Sequence, residues 1–219
     1  MAPVRNLKKS EIVYLSQRRC KHSHTFLDHY ECYISEHPDR EKVGFLDIET
    51  SNFSGNAGII LSYSIKTAHK DEFNEYLISP KELRTILDKK LCEQLVKDMM
   101  KYDRLIGYYS SGFDIKFIRT RCVINGVDMP GFGGMLHTDL YFMIRNKFKL
   151  TRNSLEVACR TLLGKTNKTH FDAMLWMRAL QGNANCLKEI ATHNRFDVVD
   201  TELLYNKVAE FSKQNNTSW

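Results

Sequence analysis

The chain has 219 residues and a mass of 25.6 kDa; 42% of its residues are hydrophobic, 26% are charged, and the mean hydropathy is −0.41. This is the mix of an ordinary soluble globular protein, with room for one domain plus an appendage at ~150 residues per domain. A collagen repeat, an intrinsically disordered chain and a secreted disulfide scaffold do not fit it, and the longest mainly apolar run, 58–65, is far short of the ~20 residues a membrane helix needs.

The opening MAPVRNLKKSEIVY lacks the apolar core of a secretory signal. The expected setting is therefore intracellular: cytoplasm, nucleoid or a viral context, with no membrane association. The net charge is +6, from 32 basic and 26 acidic residues. It is concentrated in two segments. Residues 1–21 hold Arg5, Lys8, Lys9, Arg18, Arg19 and Lys21 against Glu11 alone, and residues 145–168 hold Arg145, Lys147, Lys149, Arg152, Arg160, Lys165 and Lys168 against Glu156 alone. Such stripes attract a polyanion, although a merely solvated face explains either one taken singly.

In chain order, residues 1–42 form a basic, His-rich arm. Within it, Cys20-x-His22 and His29-x2-Cys32 are two close pairs separated by a six-residue loop. Zinc takes four N/S ligands tetrahedrally, and one ion could fold a small arm that lacks a core of its own. His24 could stand in for His22, and the competing reading is a polar loop with surface histidines. Four of the eight histidines fall within residues 22–37, which favours zinc. The six cysteines are too sparse for a disulfide framework and are expected as reduced thiols, with Cys122 and Cys159 in the core.

His37 to Lys42 reads as a linker, and the remainder, 43–219, as one domain. Val43 to Glu49 is apolar on both faces, as a buried central strand would be. Ile59–Ile65 and Phe73–Ile78 continue an antiparallel meander. A helical region covers 83–102, a short strand 104–109, and a helix Phe113–Asn125 stopped by Gly126. His137–Ile144 reads as a fifth strand. Asn153-Ser-Leu-Glu156 resembles a capping box with Asn153 as the cap, opening a helix that Gly164 closes. Helices over 187–193 and 196–213 finish the chain. The pattern predicts an α/β fold with one mixed five-stranded sheet and helices on both faces.

Asp47 and Glu49 stand two apart in the first strand and so point to one side of the sheet. Carboxylates among Val, Phe, Leu and Ile are costly to bury unless they are paired or bind a cation; the alternative is a wet strand end. Asp114 falls in the first turn of a helix, where an anion is favoured in any case. His193 and Asp197 lie one helical turn apart, heading a face continued by Thr201, Leu204, Val208 and Phe211. Four carboxylates held close raise each other's pKa, and hard divalent cations such as Mg²⁺ or Mn²⁺ relieve that conflict. Asp139 reads as a strand-end residue near the cleft and Asp200 as an exposed helix residue, neither of them a metal ligand of first choice.

These segments resemble the three exonuclease motifs of the DEDD superfamily, which has the RNase H-like fold. FLDIET (45–50) is similar to the first, LIGYYSSGFDIKFIRTR (105–121) to the second and HNRFDVVDTELL (193–204) to the third. The stretch from LHTDLYFMI through NSLEVACRTLLG resembles the proofreading domains of family B DNA polymerases, and more closely the stand-alone YprB-type ribonuclease H-like domains. The likeness covers roughly residues 43–213, with the motifs in the family's order. It implies that Asp47 bridges two metal ions, that Glu49 and Asp197 complete the site of the water-activating ion, and that Asp114 holds the second. His193 would take a proton from the nucleophilic water or orient it. Two features depart from the family pattern. His193 and Asp197 have the spacing of the Tyr-x3-Asp form with the chemistry of the His-x4-Asp form, and Tyr109 stands where Asn often follows Gly-Tyr.

The expected function is a two-metal-ion nuclease, a 3′–5′ exonuclease on single-stranded DNA or RNA. Tyr109, Phe113, Arg145, Lys147, Lys149 and Arg152 are candidate substrate contacts. The alternatives are a catalytically silent nucleic-acid-binding module of the same fold, and a zinc-centred interaction protein.

Overall fold

The computed structural model describes residues 9–36, 41–131, 135–167, 172–211 and 217–218. Arg5, Lys8, Lys168, residues 37–40 of the expected linker and 212–213 at the end of the expected last helix lie outside them. The strands are β1 (Val43–Thr50), β2 (Ile60–Thr67), β3 (Phe73–Leu77), β4 (Arg104–Gly107), β5 (Leu136–Asp139) and the two-residue β6 (Thr217–Ser218). The sheet order is β3-β2-β1-β4-β5-β6. β1, β2 and β3 form the expected antiparallel meander, β4 and β5 join β1 in parallel, and β6 pairs antiparallel at the edge. The expected mixed sheet of five strands is thus present, with β6 added.

Alternation along β1 divides the core. Leu46 and Ile48 face a cluster that includes Tyr63, Ile65, Leu95, Leu105 and Ile118. Phe45, on the opposite face, joins Ile106, Leu140, Ile144, Cys159 and Leu204. Asp47 and Glu49 have the parity of Phe45 and so belong to this second face. α4 (Lys89–Met99) and α5 (Asp114–Asn125) cover the first face; α6 (Leu140–Lys147) and α7 (Leu155–Leu163) cover the second.

One 25-residue helix, Ala184–Val208, serves both cores. Asn183 caps it by accepting from the backbone N–H groups of Asn185 and Cys186. Cys186, Leu187 and Ile190 enter the first cluster and Val198, Leu204 and Val208 the second, leaving His193, Asn194 and Asp197 between them. The helix packs on β1 and β2, whose Ser62 and Ser64 are small and fully buried; they stand opposite Glu49 and Asp47 in the register. Lys66, next on that face of β2, is buried and paired with Glu202 of the helix at 2.5 Å.

Several expectations are corrected. The apolar run 137–144 is half strand and half helix: Asp139 ends β5 and caps α6 by accepting from the Tyr141 N–H, and Leu140 and Ile144 are buried one helical turn apart. The helical region 83–102 is α3 (Pro80–Thr85) and α4, broken at Leu87, whose φ is +52°. Helices 187–193 and 196–213 are one helix followed by a 3₁₀ turn at Ala209–Phe211, since Asn194 and Arg195 contain no breaker. Phe211 is consequently exposed rather than continuing the buried stripe. Ser154, not Asn153, caps α7, accepting from the Val157 N–H. Helix Ala173–Leu180, α8, was not expected. Asp200 is 2% exposed, not a surface residue: it accepts from the Thr166 hydroxyl and from the backbone and side-chain amides of Asn167, pinning the loop after α7.

The N-terminal arm has a small core of its own. α1 (Lys9–Gln17) and α2 (Tyr30–Glu36) enclose Leu15, Cys20, Phe26, Cys32 and Tyr33, a cluster separate from the other two. Glu41 and Lys42 belong with the sheet: Lys42 N–H donates to Asp103, and Arg104 pairs with Glu41 at 3.0 Å. All six cysteines are free thiols, and Cys122 and Cys159 are fully buried. Among the described residues no helix is long and apolar enough to cross a membrane.

Candidate active site

Four carboxylates and a histidine from β1, α5 and the Ala184–Val208 helix meet at the end of β1. Asp47 and Glu49 come from the strand. Asp114 opens α5 and is 4% exposed; its Oδ1 accepts from the Ile48 N–H at 3.2 Å, which ties the helix start to the strand between the two β1 carboxylates. His193 Nε2 lies 3.8 Å from Glu49 Oε1 and 3.7 Å from Asp197 Oδ2. One ligand atom from each of Glu49, His193 and Asp197 falls within 4.8 Å of the others, a spacing suited to a shared cation. Asn194 Nδ2 donates to Asp47 Oδ2 at 2.6 Å.

The electrostatics follow from this crowding. Burial first, then the negative charges of Asp114, Asp197 and Glu49, push the Asp47 carboxyl well above the usual range, against the opposing hydrogen bond from Asn194. Burial likewise raises Asp114 to about 7; its own and the Ile48 backbone N–H groups oppose that, while Asp139 and Asp197 add to it. An array in which several acids resist ionisation is the one a divalent cation stabilises most. The residues present therefore fit a divalent cation: hard carboxylate oxygens and a charge deficit that cations would fill, with the imidazole of His193 beside them.

Asp47, Asp114 and Asp197 line one cleft of about 530 Å³. The rest of its lining is largely aromatic, with Tyr108, Tyr109, Phe113 and Tyr141, joined by Ile48, Asn153, Ser154 and Leu155. The sharp turn after β4 makes this possible. Gly107 packs so closely that a Cβ there would sit 2.4 Å from Ser110 Oγ, and Ser110 is itself bonded to the buried His137 at 2.8 Å. Tyr109 adopts a left-handed φ of +59°. Asp139 holds it there, accepting from the Tyr109 and Ser111 N–H groups at 2.9 Å each. Tyr109 is thus 47% exposed at the cleft mouth, packed edge-on against Tyr141.

All five residues expected at the centre are therefore brought together, and Tyr109 and Phe113 line the cleft. Arg145, Lys147, Lys149 and Arg152 are exposed and do not line it; Arg152 immediately precedes the lining residues Asn153 and Ser154. The reading of the sequence missed Asn194, which is 1% exposed. Its signal was available: 194, 197, 201, 204 and 208 follow one another at helical spacing, so Asn194 shares the buried face. Asp139 was placed near the cleft, but its part in holding the turn depends on tertiary contacts. Cys20, His22, His29 and Cys32 gather in a second ligand cluster in the N-terminal unit.

A family model described as the RNase H superfamily matches residues 44–209. The family B DNA polymerase from the hyperthermophilic archaeon Pyrobaculum calidifontis shares the fold, with a TM-score of 0.58 and 19% identity over 78% of this chain and 25% of that one. The chain thus spans about a quarter of that polymerase's length. No curated protein matches the chain.

Proposed function

The chain belongs to the RNase H superfamily, as a nuclease-type domain, and on that footing we propose that it is a two-metal-ion-dependent 3′–5′ exonuclease of the DEDD type acting on single-stranded DNA or RNA. The observation that carries this reading is the convergence of Asp47, Glu49, Asp114 and Asp197, with His193, at one end of an open aromatic cleft. Asp47 would bridge two Mg²⁺ or Mn²⁺ ions, Glu49 and Asp197 would complete one site, and Asp114 would serve the other. When bound, such a pair lowers the pKa of water and neutralises charge on the leaving oxygen in an in-line displacement at phosphorus.

The protein's own groups do the rest. His193, with Glu49 and Asp197 each within 4 Å of its Nε2, would receive the proton of the attacking water or orient that water. Asn194 holds Asp47 in one orientation. Tyr109 and Phe113 offer faces on which terminal bases can stack, a contact that tolerates any sequence. The exposed Arg145, Lys147, Lys149 and Arg152 would draw in the phosphate backbone.

The test is digestion of 3′- and 5′-labelled single-stranded DNA and RNA, duplexes and single-stranded circles with Mg²⁺ or Mn²⁺. Stepwise mononucleotide release from the 3′ end is expected, with circles left intact. Asp47→Ala and Asp197→Ala should each lower the rate by roughly 10²–10³-fold, the range for losing one group that stabilises developing charge. Binding without degradation would assign the chain to a silent nucleic-acid-binding module, and cleaved circles would assign an endonuclease.

A further inference from the structure

The carboxylate site makes no use of the second ligand cluster. Its two halves come from different pieces of local structure. The backbone turns tightly over 20–24: Cys20 N–H donates to the His24 carbonyl, Ser23 N–H donates to the Cys20 carbonyl, and Ser23 takes a φ of +66°. This turn presents Cys20 and His22. The other half is the start of α2, where His29 N–H donates to the Thr25 carbonyl and Cys32 N–H to the His29 carbonyl, so that His29 and Cys32 project from one turn.

Across these halves Cys20 Sγ lies 3.5 Å from His29 Nδ1, and Cys32 Sγ lies 3.2 Å from His22 Nδ1. All four ligand atoms fall within 4.8 Å of one another. A tetrahedral zinc site with Zn–S of 2.3 Å and Zn–N of 2.0–2.1 Å puts neighbouring S and N atoms about 3.6 Å apart. The sequence offers His22, with His24 as a possible replacement. The structure separates them: His24 packs edge-on against the His29 ring and is not in the ligand set.

We infer that Cys20, His22, His29 and Cys32 form a closed, structural Zn²⁺ site that holds the turn at residues 20–24 to the start of α2. Two thiolates balance the charge of the ion, so binding releases two protons, and four protein ligands leave no position for substrate. The ligands are also part of the unit's packing. Among the described residues its buried apolar cluster is Leu15, Cys20, Phe26, Cys32 and Tyr33, with Leu27 and Tyr30 against it, so both ligand thiols sit inside the core they would staple.

The experiment is metal analysis of the purified full-length protein after exhaustive dialysis against Mg²⁺. One zinc per chain is expected, retained by His24→Ala and lost from Cys20→Ser, Cys32→Ser and His22→Ala. Co²⁺ exchange should give the strong visible bands of a tetrahedral site together with a near-ultraviolet thiolate charge-transfer band. The main cores of the sheet domain are separate from this unit, so the far-ultraviolet dichroism of these variants should lose no more than the helical signal of α1 and α2, which separates loss of the site from loss of the sheet domain's fold. Differential alkylation supplies a second measurement on the unmutated chain: Cys20 and Cys32 should be protected until a zinc chelator is added. Zinc absent from the wild type, an octahedral Co²⁺ spectrum, or zinc retained by His22→Ala but lost from His24→Ala would overturn the assignment. None of these readouts depends on nuclease activity.

Discussion

At the scale of single residues the site is governed by carboxylates that do not welcome their own charge. Asp114 is raised to about 7 from an ordinary 3.8. A carboxyl whose folded pKa is raised binds its proton more tightly folded than unfolded, so its contribution to stability is complete below about pH 4 and is lost as pH rises through 7. In metal-free buffer the unfolding free energy should therefore decline across pH 4–7, on the order of a few kcal/mol. Asp114→Asn should flatten that decline, and saturating Mn²⁺ should reverse it, because cation binding displaces the same proton. Urea titrations at several pH values check this; a slope identical in wild type and variant would remove Asp114 as its source. Asn194 acts one step further out, since it touches Asp47. Asn194→Ala should weaken Mn²⁺ affinity or activity about 10–100-fold, the usual effect of losing the partner that orients a metal ligand. Calorimetric Mn²⁺ titration reads this directly.

At the scale of elements, the cleft depends on how closely β4 passes into α5. Gly107 is the tightest point, because an added Cβ would meet both Ser110 and the Leu46 carbonyl, at 2.4 and 3.2 Å. Ser110 cannot retreat freely while bonded to His137, which is 3% exposed. Gly107→Ala should cost ~1–3 kcal/mol as an overpacking substitution, lowering Tm by roughly 2–4 °C for each kcal/mol in a domain of this size. It should also lower activity more than that loss of stability explains, because the same turn aims Asp114 and Tyr109. Differential scanning calorimetry paired with kinetics separates the two effects. The Ala184–Val208 helix works in the opposite sense. It is long and packed into both cores, so His193, Asn194 and Asp197 are carried on a rigid rod rather than a loop.

At the scale of the whole molecule, the positive charge and the negative site are spatially divided. Asp47, Asp114 and Asp197 line the cleft, whereas Arg145, Lys147, Lys149 and Arg152 are exposed outside its lining. Lys147→Glu combined with Lys149→Glu should weaken single-strand binding at low salt. The slope of log K against log salt should fall by about 0.7 for each phosphate that is no longer neutralised. Fluorescence anisotropy over a salt series measures both, and an unchanged slope would place the nucleic acid elsewhere. Mn²⁺ affinity should be unaffected, since neither lysine touches the carboxylates.

Much of this molecule was legible in the chain. A run apolar on both faces located β1, and the period of two along a strand put Asp47 and Glu49 on one side; Gly126 and Gly164 marked the ends of α5 and α7; and three short motifs in order named the acids. These are local properties, decided by neighbours within a few residues. What the sequence could not decide were choices between equal local options. Leu140–Ile144 is apolar enough for strand or helix; as a helix capped by Asp139 it buries Leu140 and Ile144 together in the second core. Asp200 looked solvated until Thr166 and Asn167 closed over it. Spacing alone kept His24 open as a replacement for His22, and in the fold of the turn it is His22 whose ring joins the ligand group. The pairing of Asn194 with Asp47, 147 positions apart, exists only because one helix crosses one strand. Chemical identity is written residue by residue, but mutual distance belongs to the packed whole.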